Sequence, residues 1–161
     1  MDDPGHDLGP VISEKQMRMI LGHVETAKTQ GAYILAGGMR AGDQGWFVPP
    51  TIVGGVRDDM TIAQEEVFGP VLSVLTVKDD AEALHRANNT PYGLAAGLWS
   101  QDVTRVRRMA DALQAGTVWV NCWGETDAAS PFGGVKLSGY GREMDRDAIS
   151  LYSQTKSVWI A

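Results

Sequence analysis

The sequence contains a single cysteine, Cys122, among its 161 residues, which excludes an internal disulfide and is typical of a reducing compartment. No apolar run approaches the ~20 residues of a membrane-spanning helix, and the first residues have neither the basic nor the apolar region of a signal peptide. Basic residues are outnumbered, 14 against 20 acidic ones, and the net charge of -6 disfavours binding to phosphate backbones. We therefore expect a cytoplasmic protein that binds neither nucleic acid nor a membrane.

Metal-binding motifs are also lacking. The three histidines, His6, His23 and His85, are far apart in the sequence, and none lies in a zinc-binding pattern. No metal site is predicted. The composition, 43% hydrophobic and 21% charged, is that of an ordinary globular protein.

Three segments have the periodicity of amphipathic helices. In the first, apolar residues recur every three or four positions, with Ser13 as the N-cap and Gly31 as the stop. The predicted helices are 13–30, 80–89 and 101–115.

Short apolar runs between the helices predict strands. We expect Tyr33–Ala36 to be buried and 71–77 to be covered on both faces. Residues 46–56 contain Pro49 and Pro50, which donate no hydrogen bond, so this segment should be an edge or a bend. Strands alternating with helices predict an α/β fold with a mostly parallel sheet and flanking helices.

The end of the chain differs from the rest. Residues 151–160 alternate between apolar and polar and predict a strand. Gly139 and Gly141 predict a tight turn, followed by a short helix from Arg142, and this pair lacks the third glycine of a dinucleotide-binding loop. We expect two parts, 1–144 and 145–161.

Two sequence blocks resemble the NAD(P)-dependent aldehyde dehydrogenase family in content and order. They are Glu66-Val67-Phe68-Gly69-Pro70 and the stretch 131–143 (PFGGVKLSGYGRE). The resemblance extends from Asp3-Pro4 to Lys156. It implies the C-terminal part of the catalytic domain plus a terminal oligomerisation strand. The implied reaction oxidises an aldehyde to a carboxylic acid with NAD or NADP. The resemblance also implies that the catalytic cysteine, the general-base glutamate and the Rossmann domain precede the region this chain covers, so no catalytic residue is assigned in it.

Glu66 and Phe68 are the candidate cofactor-binding residues. An ionised carboxylate accepts both hydrogen bonds of a vicinal diol, and a phenyl ring offers an apolar wall to another ring. The resemblance places Glu66 at the nicotinamide ribose and Phe68 beside the nicotinamide. Glu65 is expected to be a solvated surface residue.

Phe132 is the first candidate for the substrate pocket. Its position among prolines and glycines suits either a loop hydrophobe folded onto the core or, as the resemblance implies, a wall of the aldehyde tunnel. The resemblance adds Cys122 and Trp123, which would favour an apolar or bulky aldehyde. Cys122 has no neighbouring base in the sequence to activate it and is predicted to be a small pocket or core residue, not a nucleophile.

The tail resembles the family's terminal strand, which joins a neighbouring subunit. The family commonly has glutamate where this chain has Gln154, and the neutral amide gives up the charge assistance of such a contact. Two hypotheses remain open. In the first, the chain is a fragment or split subunit whose activity needs an N-terminal aldehyde dehydrogenase part, and this chain alone binds no cofactor. In the second, it is a non-catalytic domain that forms homo-oligomers.

Overall fold

The computed structural model describes residues 8–161, which fall into two compact units that divide between Val77 and Lys78. Within the described residues, no helix has both the length and the apolar composition to cross a membrane. The predicted boundary near residue 144 concerns the family's domains and stays a prediction.

The first unit is a small mixed sheet packed against one long helix. Its elements are α1 Glu14–Thr29, β1 Tyr33–Ala36, β2 Thr51–Gly54, α2 Thr61–Gln64 and β3 Val71–Ser73. The sheet order is β1-β2-β3, in which β2 is antiparallel to β1 and parallel to β3. Strand β2 is therefore the centre of this sheet.

Helix α1 forms where the periodicity predicts it. The Ser13 hydroxyl accepts a hydrogen bond of 3.2 Å from the backbone N–H of Gln16, which satisfies one of the free donors at the helix start. Gly31 follows the C-cap with a φ of 99°, a conformation that glycine adopts without strain. The residues that α1 buries are Met17, Ile20, Val24 and Ala27.

The burial of the strands differs from the prediction. β2 follows directly on the two prolines, yet it is the central strand, and Val53 is fully buried. The expected burial of β1 and of both faces of β3 is wrong, because Leu35 and Leu72 are 60% and 61% exposed. These strands are the two edges of the sheet, and α1 covers only one of its faces.

The second unit contains two short sheets and three helices. Its elements are α3 Asp80–Asn88, β4 Tyr92–Gly93, β5 Ala95–Leu98, α4 Val103–Ala112, β6 Thr117–Val120, β7 Val135–Lys136 and α5 Asp147–Leu151. β5 and β6 pair in parallel, whereas β4 and β7 pair antiparallel. The α/β class is confirmed, although the strands form separate sheets of mixed pairing and not one mostly parallel sheet.

Two expectations for the end of the chain are wrong. No helix begins at Arg142; instead Phe132 and Glu143 exchange two backbone hydrogen bonds of 2.8 Å, and the last helix starts at Asp147. The predicted strand over 151–160 is also absent, since none of the described residues pairs with this tail. A strand needs a neighbouring ladder to satisfy its backbone groups, and the single chain offers none here.

Candidate functional site

The first candidate site is the segment that follows α2. Phe68 is 73% exposed and has a φ of 54°, a left-handed conformation that costs an L-residue roughly 1–2 kcal/mol. Its carbonyl oxygen accepts a 2.8 Å hydrogen bond from the side-chain amide of Gln16, on α1. Glu66 is exposed, and none of residues 8–161 donates a hydrogen bond to its carboxylate.

The surrounding sequence explains why this segment has a defined position. A Cβ on Gly69 would overlap the side chain of Ile20, so only glycine permits the close approach to α1. The Pro70 carbonyl accepts a 2.8 Å hydrogen bond from the backbone N–H of Thr51, which ties the segment to β2. The segment is thus held at Phe68, Gly69 and Pro70, while its two functional candidates project from the surface.

The chemistry of these two side chains fits the nicotinamide end of a dinucleotide. Glu66 retains its acceptor capacity for a ribose diol, and the exposed ring of Phe68 presents an apolar face to a second ring. A left-handed phenylalanine held by a distant side chain is also a local strain of the kind that accumulates at binding sites.

The second candidate site is a cavity of about 420 Å³ in the second unit. Phe132 lines it, at the point where its backbone pairs with Glu143. The loop before it is fixed to β6, since the indole N–H of Trp119 donates a 2.8 Å hydrogen bond to the Glu125 carbonyl. The other residues that line the cavity are Thr117, Trp119, Glu125, Thr126, Asp127, Ser130, Pro131 and Met144.

The other two predicted pocket residues occupy different positions. Cys122 is half-buried, and Trp123 is 61% exposed with its ring centroid 4.8 Å from that of Trp119. Neither lines the cavity of Phe132 among the described residues. The sequence reasoning missed Trp119 and the acidic loop residues Glu125 and Asp127. Only the alternation of β6 gave a signal, because it places the Thr117 and Trp119 side chains on one face.

Lys136 also has a clear structural place. Its ammonium group donates to the carbonyl oxygens of Asn88 and Thr90, at 2.7 and 3.1 Å. Helix α3 ends at Asn88, and a cation is favourable at a helix C-terminus. Among residues 8–161, no group of three or more metal-ligating side chains could hold a metal ion.

The fold and the motif order together define an aldehyde dehydrogenase type of domain. A model of the aldehyde dehydrogenase family matches residues 1–158. The chain therefore belongs to the aldehyde dehydrogenase family.

Individual relatives agree with this assignment. The chain is 47% identical to the mitochondrial aldehyde dehydrogenase of Sus scrofa, with 98% of this chain and 30% of that protein covered. The NAD+ complex of an aldehyde dehydrogenase from Bacillus cereus superimposes with a TM-score of 0.93 at 46% identity, covering 98% of this chain and 32% of that one. The indole-3-acetaldehyde dehydrogenase AldA of P. syringae, a mutant in complex with NAD+ and IAA, gives a TM-score of 0.92 at 44% identity, with the same coverage of 98% and 32%. This chain thus spans about a third of the length of the relatives it matches.

Proposed function

We propose that these residues form the C-terminal part of an aldehyde dehydrogenase, in which they position the nicotinamide and shape the aldehyde pocket. The observation that carries the proposal is the anchored segment around Phe68, which presents a free carboxylate and an exposed ring within the family's motif. Residues 145–161 would then belong to the oligomerisation region.

In this proposal Glu66 accepts hydrogen bonds from the two ribose hydroxyls, and Phe68 packs beside the nicotinamide and excludes water from that side. When bound, NAD or NADP supplies the hydride acceptor for the oxidation of an aldehyde to a carboxylic acid. Phe132 forms one wall of the aldehyde pocket, and Cys122 and Trp123 lie in the adjoining segment. Correct placement of reacting atoms accounts for a large share of enzymatic rate enhancement, so these groups matter only together with a nucleophile.

The nucleophile is not expected among the 161 residues. Cys122 is half-buried, and no described residue forms a hydrogen bond with its thiol. A reactive thiolate needs a nearby base, a cation or a helix N-terminus. We propose that activity requires the residues that the other two-thirds of a family member contribute.

An assay of the isolated chain tests this directly. NAD(P)H formation is measured with aliphatic and aromatic aldehydes for the chain and for Cys122→Ser. We expect no turnover from either protein. Turnover by the chain that the Cys122→Ser variant loses would identify Cys122 as a nucleophile and refute the proposal.

The second candidate function, a non-catalytic oligomerising domain, is favoured by the apolar tail. Val158, Trp159 and Ile160 are 68%, 94% and 92% exposed. Side chains of this kind usually find a partner when they form a contiguous patch. Self-association of the chain is compatible with both candidates, whereas catalysis after completion with the missing part supports only the first.

A further inference from the structure

Three tryptophans lie together on the two-stranded sheet of β5 and β6. A Cβ on Gly97 would lie 2.7 Å from the ring of Trp99 and 2.9 Å from the ring of Trp123, so only glycine leaves room for both indoles. The ring of Trp123 also packs on that of Trp119, with 4.8 Å between the centroids and 57° between the planes. Trp119 in turn lines the cavity of Phe132. The three indoles therefore form one cluster that reaches the candidate aldehyde pocket.

Burial does not hold the two outer rings of this cluster. Trp99 and Trp123 are each 61% exposed, and none of residues 8–161 accepts a hydrogen bond from either indole N–H. An exposed side chain can exchange between staggered rotamers unless its backbone and its neighbours select one of them. The backbone at the ends of β5 and β6 therefore determines where these two rings lie.

Asn121 joins those two strand ends. Its side-chain amide donates a 3.0 Å hydrogen bond to the Ser100 carbonyl and accepts one of 2.9 Å from the Ser100 N–H. Its backbone N–H donates to the Leu98 carbonyl at 2.8 Å. Ser100 directly follows Trp99, and Asn121 lies two positions before Trp123. One amide thus connects the two segments that carry the exposed rings.

The backbone of Asn121 also sets the direction of the chain after β6. Its φ is 55°, in the left-handed region that asparagine and glycine adopt more readily than other residues. Glycine would allow this turn equally well, but it has no amide to fix it. Asparagine supplies both the turn and the contact to Ser100.

We propose that Asn121 is a positioning residue for the aldehyde pocket, which acts by holding Trp123 against Trp119. The role of the pocket rests on the proposed function, whereas the contact between the two indoles does not. Without the amide of Asn121, the segment that starts at Cys122 loses its fixed direction, and Trp119 loses the ring that packs on it. A substrate must then order this wall on binding, which weakens its affinity.

Circular dichroism of the full chain tests the contact between the indoles. Two indoles this close couple their electronic transitions and give a pair of far-ultraviolet bands of opposite sign, which Trp123→Phe and Trp119→Phe assign. We expect Asn121→Gly to lose this band pair, because glycine keeps the left-handed backbone and removes only the amide. Asn121→Asp keeps the acceptor for the Ser100 N–H, loses the donor, and should retain a weaker signal. A band pair that Asn121→Gly leaves intact, or a parent chain without one, would overturn the proposal.

The matched control is Asn88→Ala. The Asn88 amide joins two segments in the same way, with hydrogen bonds to the Ala112 carbonyl and the Gln114 N–H, and none to the tryptophans. Spectra are recorded where thermal unfolding shows each variant to be folded, and Asn88→Ala should keep the band pair. Its loss in this control would show that the signal follows general stability, and the proposal would fail. If Asn121→Gly does not fold, an undiminished signal in Asn121→Asp overturns the proposal in its place.

The effect on the pocket is measured in a complete enzyme, in which the chain is joined to the other two-thirds of the Bacillus cereus aldehyde dehydrogenase. Asn121→Gly should raise the KM of the aldehyde by about fivefold, as the loss of one aromatic contact predicts, and leave the KM of NAD+ unchanged. Asn88→Ala should change neither value. An unchanged aldehyde KM, or an equal rise of both values, would refute the positioning role. A complete enzyme without activity would instead refute the proposed function, and the circular dichroism of the chain alone would then decide whether Asn121 holds the indoles.

Discussion

The side-chain amide of Gln16 donates a 2.8 Å hydrogen bond to the backbone carbonyl of Phe68, across 52 positions of sequence. This contact connects α1 to the middle of the candidate nicotinamide segment. It holds a phenylalanine whose φ of 54° is unfavourable for any residue with a Cβ. The backbone is thus in an unfavourable conformation at the position where the chain exposes an aromatic ring.

Substitutions of Phe68 should reveal this strain. Because its side chain is largely exposed, truncation removes little burial, and the two truncations differ mainly in backbone preference. Phe68→Gly should be more stable than Phe68→Ala by ~0.5–1 kcal/mol, after the flexibility of glycine in the unfolded chain is subtracted from the relieved strain. Urea unfolding of both variants measures the difference. Equal stability, or a more stable alanine variant, would show that the left-handed conformation is not strained.

Helix α3 should contribute a pH-dependent stability through Glu82. Its carboxylate accepts hydrogen bonds from the Lys78 N–H at 2.9 Å and from Arg86 at 2.8 Å. The Lys78 N–H is the largest cause that lowers the pKa of Glu82 below its ordinary 4.5, followed by the charges of Arg86 and Lys78. A lowered folded-state pKa gives stability that is present above the unfolded pKa and lost as the pH falls through the folded one.

Glu82→Gln should therefore be less stable than the parent chain at neutral pH, and the two should converge in acid. Thermal unfolding from neutral pH to below the ordinary pKa of a carboxyl group follows the difference. Glu65→Gln serves as the control and should leave the profile unchanged, because Glu65 is exposed and no described residue forms a hydrogen bond or an ion pair with its carboxylate. A constant gap between Glu82→Gln and the parent at all pH values would contradict the assigned contacts.

Asn88 should stabilise the second unit by joining the ends of two helices. Its amide nitrogen donates to the Ala112 carbonyl at 2.9 Å, and its amide oxygen accepts from the Gln114 N–H at 2.8 Å. Asn88→Ala loses both contacts and should cost about 1–3 kcal/mol of unfolding free energy. Asn88→Asp keeps the acceptor and should lose less. Denaturant unfolding that ranks the two variants in the opposite order would exclude this role.

The chain should self-associate through its tail. Exposed apolar residues from Tyr152 to Ile160 have no partner strand in the described chain, and such segments favour strand addition. Light scattering should show a dimer or larger species for the intact chain and a smaller one for a chain ending at Ile149. A monomeric intact chain, or an oligomer that truncation leaves intact, would remove the tail from the interface.

Local signals predicted the helices better than the strands. Ser13, Asp79 and Asp102 each cap a helix near a predicted start, because capping depends on residues within one turn. The predicted burial of β1 and β3 was wrong because the apolar content of a strand does not show which of its faces another element covers. The helix expected at Arg142 does not form because the backbone of Glu143 pairs with that of Phe132. These two positions are too far apart in the sequence for the local periodicity to reveal the contact.

Sequence motifs predicted the candidate site residues, but they did not predict the residues that surround them. Glu66, Phe68 and Phe132 come from short sequence blocks, and their functional roles stay predictions. The contribution of Gln16 to Phe68 and of Trp119 to the cavity depends on tertiary contacts.

The most direct test of the central claim is the activity of a chimera in which this chain replaces the matching third of the Bacillus cereus aldehyde dehydrogenase. NADH formation is compared for the chimera, its Glu66→Gln variant and its Glu65→Gln control. The account predicts an active chimera, a loss of roughly tenfold or more for Glu66→Gln from the missing charged hydrogen bonds, and little change for Glu65→Gln. A folded chimera without activity, or one that Glu66→Gln leaves unaffected, would contradict it.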